Sequence, residues 1–95
     1  MIVNTIRHTS EFKRLYKHKL KTSKQYVLDE IDSNIRLLAF ALDPKSLGEK
    51  KKGSLSDMYA IRLNRDSRIL YRVYEDESQT IVELVRVCNH KQVYG

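Results

Sequence analysis

The strongest constraint on the fold is an alternating stretch, Tyr59 to Tyr74, interrupted by the polar tetrapeptide Asn64 to Ser67. Two alternating runs joined by a short polar turn are typical of an antiparallel β-hairpin. Because strand side chains alternate between the two faces of a sheet, the apolar residues of both runs should share one face. We expect Arg62, Arg68 and Arg72 to share the other. A face carrying several guanidinium groups is suited to binding phosphate.

The remaining apolar residues predict two further strands and two helices. Ile2 to Arg7 and Thr80 to Cys88 are rich in β-branched residues and favour strands, although the pattern leaves open which face of the first is buried. Between them, apolar residues recur at helical spacing. They are Phe12, Leu15, Tyr16 and Leu20 in the first helix, and Val27, Leu28, Ile31, Ile35, Leu38 and Leu42 in the second.

Local signals predict where these helices begin and end. Thr9 or Ser10 is suited to cap the first helix. Thr22, with a glutamine three residues later, matches a capping box for the second. Pro44 ends the second helix because the residue before a proline avoids helical angles. The polar segment from Pro44 to Ser56 contains two glycines and is expected to be a loop.

The order of elements is therefore β-α-α-β-β-β, an α+β fold. We expect a helical hairpin packed on one face of a mostly antiparallel four-stranded sheet. The chain has 95 residues, which is enough for a single domain spanning residues 1–95.

The charge balance narrows the class of partner. The 18 basic and 12 acidic residues give a net charge of +6. Such an excess favours a polyanionic partner, namely nucleic acid, an acidic protein segment or an anionic membrane, and the alternative is a solvated basic surface. The basic side of the first helix, with Lys13, Arg14, Lys17 and Lys19, fits a solvated face better than a binding helix.

Other classes of site have little support in the sequence. Cys88 is the single cysteine, so no internal disulfide is expected, and its apolar neighbours suit a small buried side chain better than a nucleophile. His8, His18 and His90 are scattered, so we expect neither a metal site nor another cofactor. No signal peptide or membrane-spanning run is recognised, and the expected location is cytoplasmic.

Three motifs in the C-terminal half resemble a known family. They are Leu55 to Leu63, Ser67 to Val73 with an arginine opening an Arg-Ile-Leu-Tyr strand, and the terminal His90 to Tyr94. In this order and chain length they are similar to the RelE/ParE superfamily of toxins from type II toxin–antitoxin systems. The resemblance covers essentially the whole chain in element order.

The resemblance implies a microbial-RNase-like sheet and a set of partners. In the RelE and YoeB branches, which we favour, the toxin cleaves mRNA in the ribosomal A site. A cognate antitoxin wraps the toxin and covers its active face, and operator DNA is contacted only through the toxin–antitoxin complex. No membrane partner is expected. Members of the ParE branch instead poison DNA gyrase without known RNA chemistry. A third interpretation is a fold relative that has lost toxicity.

The resemblance also implies roles for five catalytic candidates. Arg68 would stabilise the charge that develops on the phosphate, and Arg62 occupies a basic position of the RelE pattern. His90 could act as acid or base. Tyr94 would orient the nucleophile or take part in proton transfer. Glu49 falls where YoeB-like members carry a general base in a loop.

Five basic residues are expected to bind RNA phosphates, namely Lys50, Lys51, Lys52, Arg65 and Lys91. The pattern departs from RelE at Ala60, where RelE has lysine, and at His90, where RelE has arginine. Purely structural roles are the alternative for three of these residues. Arg68 could pair with an acidic neighbour, Tyr94 could serve only to pack the C-terminus against the sheet, and His90 could be an exposed loop residue.

Overall fold

A computed structural model describes residues 3–63 and 67–89 of the chain. Within these two ranges, two helices and five strands follow one another, with a short 3-10 turn on either side of the second strand. The elements are β1 (Thr5–His8), α1 (Ser10–Thr22), α2 (Gln25–Phe40), a 3-10 turn (Pro44–Leu47), β2 (Glu49–Lys50), a second 3-10 turn (Gly53–Leu55), β3 (Tyr59–Arg62), β4 (Ser67–Asp76) and β5 (Gln79–Asn89).

The strands form one sheet in the order β1-β5-β4-β3-β2. β1 runs parallel to β5, and every other neighbouring pair is antiparallel. The predicted α+β class and element order are confirmed, with one strand more than expected. The extra strand is β2, whose two residues pair with β3 inside the segment expected to be a loop. Two residues are too few to produce an alternating pattern, so the sequence carries no signal for this strand.

The first helix begins as expected at Thr9. The side chain of Thr9 accepts a hydrogen bond from the backbone N–H of Phe12, which satisfies one of the free donors of the first turn. The hydroxyl of Thr9 also donates to the backbone carbonyl of Val85 over 2.8 Å. The cap therefore fixes the start of α1 against β5 as well as the helix itself.

The predicted capping box of the second helix is wrong. α1 continues through Thr22, whose hydroxyl donates to the carbonyl of His18 one turn earlier, and Lys24 occupies the cap position without a side-chain bond. At its other end α2 stops at Phe40, so Leu42 lies beyond the helix and is 93% exposed. Neither helix, nor any other within the described ranges, has the length and apolarity needed to cross a lipid bilayer.

The main core lies between the two helices and one face of the sheet. The helices contribute Phe12, Ile31 and Leu38, and the sheet contributes Ile61, Ile69, Tyr71, Val82, Leu84 and Val87. The hairpin alternation correctly predicts the positions on β3 and β4, because Ile61 pairs with Ile69 and Tyr59 with Tyr71. Burial of this face against the helices therefore fixes the register of β3 and β4.

The opposite face of the sheet carries a second, smaller apolar cluster. Its buried members are Met58, Ala60, Leu70, Val85 and Cys88, and Leu55 from the second 3-10 turn packs against them. The face expected to be open is thus apolar over part of its area. The arginines of the hairpin lie around this cluster.

The turn between β4 and β5 is the acidic one expected from the sequence. Glu77 and Ser78 occupy it with φ values of 49° and 67°. Positive φ at both central residues is the geometry of a type I′ hairpin turn, whose twist matches that of the strands it joins. Two residues with side chains accept this conformation because the long β4–β5 ladder holds the turn.

Candidate active site

Two arginines face each other across the central hairpin. Arg62 pairs directly with Arg68 in the β3–β4 register, so both side chains leave the sheet on the face away from the helices. Arg68 is 8% exposed, and its guanidinium donates to the carbonyl of Ser67 over 3.0 Å, whereas Arg62 is exposed. This cross-strand pairing brings two positively charged groups together at one point of the sheet.

Glu49 shares that face. It pairs with Ala60 on β3, and Ala60 is two positions from Arg62 on the same side of the strand. Glu49 and Arg62 are therefore diagonal neighbours across the β2–β3 pair, a relationship that places Cα atoms about 7–8 Å apart. The Glu49 side chain is 67% exposed. An exposed carboxylate thus lies one step along the sheet from the paired arginines.

Lys51 differs sharply from the lysines beside it. Its side chain is only 7% exposed, and its Nζ lies 3.9 Å from Oε2 of Glu49. Its backbone N–H donates to the carbonyl of Met58 over 3.0 Å, which continues the β2–β3 ladder by one residue. Lys51 therefore projects to the same face as Glu49 and stands next to it as a buried cation.

The run of three lysines does not form one surface. Lys50 pairs with Tyr59, which lies on the helix side of the sheet, while Lys51 is on the opposite side. Lys52 is exposed in the connection that follows. Strand alternation separates these neighbours, so only Lys50 and Lys52 are solvent-facing in the manner expected of phosphate-binding residues.

The surface between the charged groups is apolar, and we call it the floor of the site. Arg68 pairs with Cys88 on β5, and Leu70 continues the row of Ala60. Burial raises the pKa of the Cys88 thiol, although the charges of Arg86 and Arg68 act in the opposite direction. A thiol that stays protonated is a poor nucleophile, as the sequence predicts. The floor lowers the local polarity around Arg68 and strengthens its attraction for an anion.

Strand alternation predicts that Arg72 shares the phosphate-binding face with Arg62 and Arg68, but its contacts give it a structural role. Its Nε donates to Asp57 over 2.8 Å, and its other guanidinium nitrogen Nη1 donates to Glu83 over 2.9 Å. Hydrogen bonds to Asp57 and then Glu83 raise the pKa of the guanidinium. Arg72 thus joins β4 to β5 and to the segment before β3, and its charge is already matched.

Four of the predicted site residues lie outside the described residues. They are Arg65, His90, Lys91 and Tyr94. Among the residues that are described, no group of three or more histidine, cysteine, aspartate or glutamate side chains is arranged to hold a metal ion. The geometry on which the site rests is therefore that of Glu49, Arg62 and Arg68.

A comparison with protein families identifies the chain. The model of the ParE toxins of type II toxin–antitoxin systems, those of parDE, matches residues 6–94. The chain belongs to this family. Its resemblance to the wider RelE/ParE superfamily is thereby confirmed. A comparison with the sequences of curated proteins found no match to this chain.

Solved structures of three relatives share its fold. The YoeB/ParE toxin from Agrobacterium tumefaciens is 22% identical over 90% of this chain and 98% of its own, with a TM-score of 0.75. A chain of the DinJ–YafQ toxin–antitoxin complex from E. coli is 15% identical over 99% and 100%, with a TM-score of 0.72. A chain of the toxin–antitoxin complex RelBE2 from Mycobacterium tuberculosis is 25% identical over 94% and 100%, with a TM-score of 0.65.

The buried state of Lys51 is the feature of this toxin-family site that sequence reasoning missed. Three successive lysines in a polar segment look alike in the sequence, and the pattern predicts RNA binding for all of them. A signal was present, since Glu49 and Lys51 are two residues apart and would share a face if the segment were extended. Only the pairing of β2 with β3 makes that spacing meaningful.

Proposed function

We propose that this protein is an mRNA endoribonuclease, the toxin of a type II pair, which cuts mRNA in the ribosomal A site without a metal ion. The observation that carries the proposal is the pairing of Arg62 with Arg68 on one face of the sheet. Two guanidinium groups facing each other form a site for a phosphodiester, because each presents a planar fork of donors to the phosphate oxygens.

The chemistry requires three events at one phosphate. The 2′-hydroxyl loses its proton and attacks phosphorus, the bond from phosphorus to the 5′-oxygen breaks, and that oxygen takes up a proton. The products are a 2′,3′-cyclic phosphate and a free 5′-hydroxyl. Glu49 is our candidate for accepting the first proton, since its exposed carboxylate neighbours the arginine pair.

Arg68 is our candidate for stabilising the negative charge that grows on the phosphate. A guanidinium remains charged at every physiological pH, and this one is 8% exposed over an apolar floor. A positioned donor in such surroundings is worth a factor of about 10² to 10³ in rate. Arg62, which is exposed, would hold the same phosphate from the opposite strand.

The remaining roles stay predictions. His90 or Tyr94 would protonate the 5′-oxygen, and Arg65 and Lys91 would bind phosphates. Lys50 and Lys52 are exposed and suited to flanking phosphates. For Lys51 the buried ammonium beside Glu49 favours a role in holding that carboxylate over direct contact with RNA.

A cognate antitoxin is part of the proposal. Two of the structural relatives were solved as toxin–antitoxin complexes, DinJ–YafQ and RelBE2. The net charge of +6 favours an acidic protein segment as well as RNA. We expect the antitoxin to cover the face that carries Arg62 and Arg68, and to bring the complex to operator DNA.

Gyrase poisoning is the second candidate function, and the family match favours it specifically. The model that matches residues 6–94 is that of ParE toxins. The resemblance implies that members of the ParE branch act on DNA gyrase with the same fold. In that case the facing arginines would bind a protein carboxylate or DNA phosphate and no RNA would be cut.

The test is primer extension on a defined mRNA after brief induction of the wild type and of Arg68→Ala. Arg36→Ala is the matched control, because Arg36 lies on α2 and outside the site. We expect cuts within translated codons for the wild type and Arg36→Ala, and none for Arg68→Ala. Equal cutting by a folded Arg68→Ala protein would overturn the assignment. Growth arrest with intact mRNA and stalled gyrase complexes would establish the second function instead.

A further inference from the structure

A stripe of basic side chains runs along the outer side of α1. Its members recur at helical spacing of three or four residues and line one surface hollow; they are Lys13, Arg14, Lys17, His18 and Lys21. Steps of four residues correspond to about 6 Å along the helix axis. We call these five residues the α1 stripe.

In the part of the chain that the structure describes, carboxylates do not match the charges of the α1 stripe. Among the described residues, no ion pair joins any member of the stripe to an aspartate or glutamate. Other basic residues behave differently, since Arg7, Arg72 and Arg86 each contact a carboxylate. The positive potential of the stripe is therefore available to an external anion.

The hollow that the stripe borders measures about 480 Å³. Ser10 and the five members of the stripe line it, and no apolar side chain is among them. Interfaces between proteins have a core in which aromatic and apolar residues are enriched, and this hollow lacks one. Sites for nucleic-acid backbones are instead made of lysine, arginine and hydroxyl groups that contact phosphate oxygens.

A second hollow adjoins the α1 stripe on the side toward β5. It measures about 410 Å³, shares Arg14 and His18 with the first, and reaches Arg86 and Cys88 on β5. Cys88 is the residue that pairs with Arg68. One carboxylate, Glu11, lies in this hollow, and its Oε1 is matched by Nε of Arg86 at 2.9 Å.

We propose that the α1 stripe binds the phosphate backbone of an RNA strand whose neighbouring segment occupies the Arg62–Arg68 site. The two adjoining hollows extend from α1 to Cys88 on β5, the strand neighbour of Arg68. This inference rests on the proposed function, because it takes RNA to be the ligand of that site. The stripe contacts backbone phosphates that are remote from the reacting phosphate. It therefore contributes affinity and positions the strand, and the chemistry is carried out by Glu49, Arg62 and Arg68.

The experiment measures binding of the full chain to a fluorescein-labelled 2′-O-methyl RNA of about 16 nucleotides, a length within known single-strand site sizes. The 2′-O-methyl groups prevent attack by the 2′-oxygen, so the probe stays intact. The stripe variant carries Lys13→Gln, Arg14→Gln and Lys17→Gln, in which glutamine preserves helix propensity. The control variant carries Lys24→Gln, Arg36→Gln and Lys45→Gln, three positions that line neither hollow.

We expect the stripe variant to bind at least about tenfold more weakly at low salt, with the slope of log affinity against log salt reduced by about 2. Each lost phosphate contact on a single strand removes about 0.7 from that slope. The control variant loses the same formal charge and should keep most of the slope. Equal losses in both variants would mean that only net charge matters, and would overturn the proposal.

A second probe separates RNA from an acidic protein partner. A polyglutamate peptide of the same length is bound to the same variants. Loss of peptide binding with unchanged RNA binding in the stripe variant would assign the stripe to a protein and overturn the proposal. Failure of the proposed function is distinguishable, since it is read from mRNA cutting by Arg68→Ala, whereas the stripe is read from the salt dependence of binding.

Discussion

Tyr71 in β4 donates its hydroxyl to the backbone carbonyl of Pro44 over 2.7 Å. The ring is fully buried in the main core, so this bond fixes the turn before β2 from beneath the sheet. Gly48 follows in the same segment, and a Cβ atom there would lie 2.5 Å from the Tyr71 hydroxyl oxygen and 3.0 Å from the carbonyl oxygen of Ala60. The next residue is Glu49. The packing of Gly48 against Tyr71 on the helix side of the sheet therefore sets the position of Glu49 on the opposite side.

Gly48→Ala should destabilise the protein by about 1–3 kcal/mol, as overpacking of a filled site does. Tyr71→Phe should cost about 1–3 kcal/mol, because the buried carbonyl of Pro44 loses its donor. Since Tyr71→Phe removes the nearest clashing atom, the double variant should lose less than the two single variants together. Urea denaturation of the four proteins measures this coupling.

Gly53→Ala is the control for that cycle. Gly53 has a φ of 68°, and a Cβ atom added there would have no neighbour within 4 Å, so its substitution strains only the local backbone. Its cost should add to that of Tyr71→Phe without coupling. Strict additivity for Gly48→Ala as well would contradict the packing relationship described above.

Arg72→Ala should reduce stability while the site face remains intact. The variant removes bonds to Asp57 and Glu83, but the Arg72 side chain is 34% exposed and solvent screens both pairs. We therefore expect a loss of only about 1–2 kcal/mol, most of it from the less exposed Glu83. The check is thermal unfolding beside a cleavage assay at a temperature where the variant is folded. A folded Arg72→Ala protein that cannot cut mRNA would place Arg72 in the site.

Lys51→Met should impair function more than stability. Methionine fills similar space without burying a charge, and the Glu49 carboxylate left behind is 67% exposed and remains hydrated. We expect the free energy of unfolding to change by less than about 1 kcal/mol while cleavage falls. Glu49→Gln should cost more stability, because it removes a carboxylate 3.9 Å from a buried ammonium. Full cleavage by Lys51→Met would show that the lysine does not hold Glu49.

Stability at alkaline pH should depend on Tyr71. Burial raises the pKa of its phenol, and the charges of Tyr59 and Asp43 add to the effect. Below about pH 10, the ordinary pKa of tyrosine, the phenol is neutral in both states and no dependence arises. Above it the unfolded chain loses a proton that the folded chain retains, so stability falls as pH rises. Denaturation at several alkaline pH values should show a steeper fall for the wild type than for Tyr71→Phe.

The hairpin is the part of the fold most readily predicted from sequence. Alternation over β3 and β4 predicts which side chains meet the core, and with it the facing pair of Arg62 and Arg68. The same pattern cannot distinguish Arg68 from Arg72. Their difference arises from Asp57 and Glu83, which lie on other segments and approach Arg72 only in the folded chain.

Short or non-local features escape prediction. β2 is two residues long and exists because β3 offers it a partner. The capping box at Thr22 fails because α1 extends through this residue, and its hydroxyl bonds back to the preceding turn. The parallel pairing of β1 with β5 joins distant parts of the chain, and no local pattern encodes which strands become neighbours.

The pairing of β1 with β5 determines when the sheet can form during synthesis of the chain. β5 lies between β1 and β4, and the Thr9 cap of α1 reaches Val85 across a chain separation of 76 residues. Neither β1 nor the main core can be completed until β5 has left the ribosomal tunnel, and such long-range closure is slow. A nascent chain therefore exposes the unpaired edges of β1 and β4 until β5 has been synthesised.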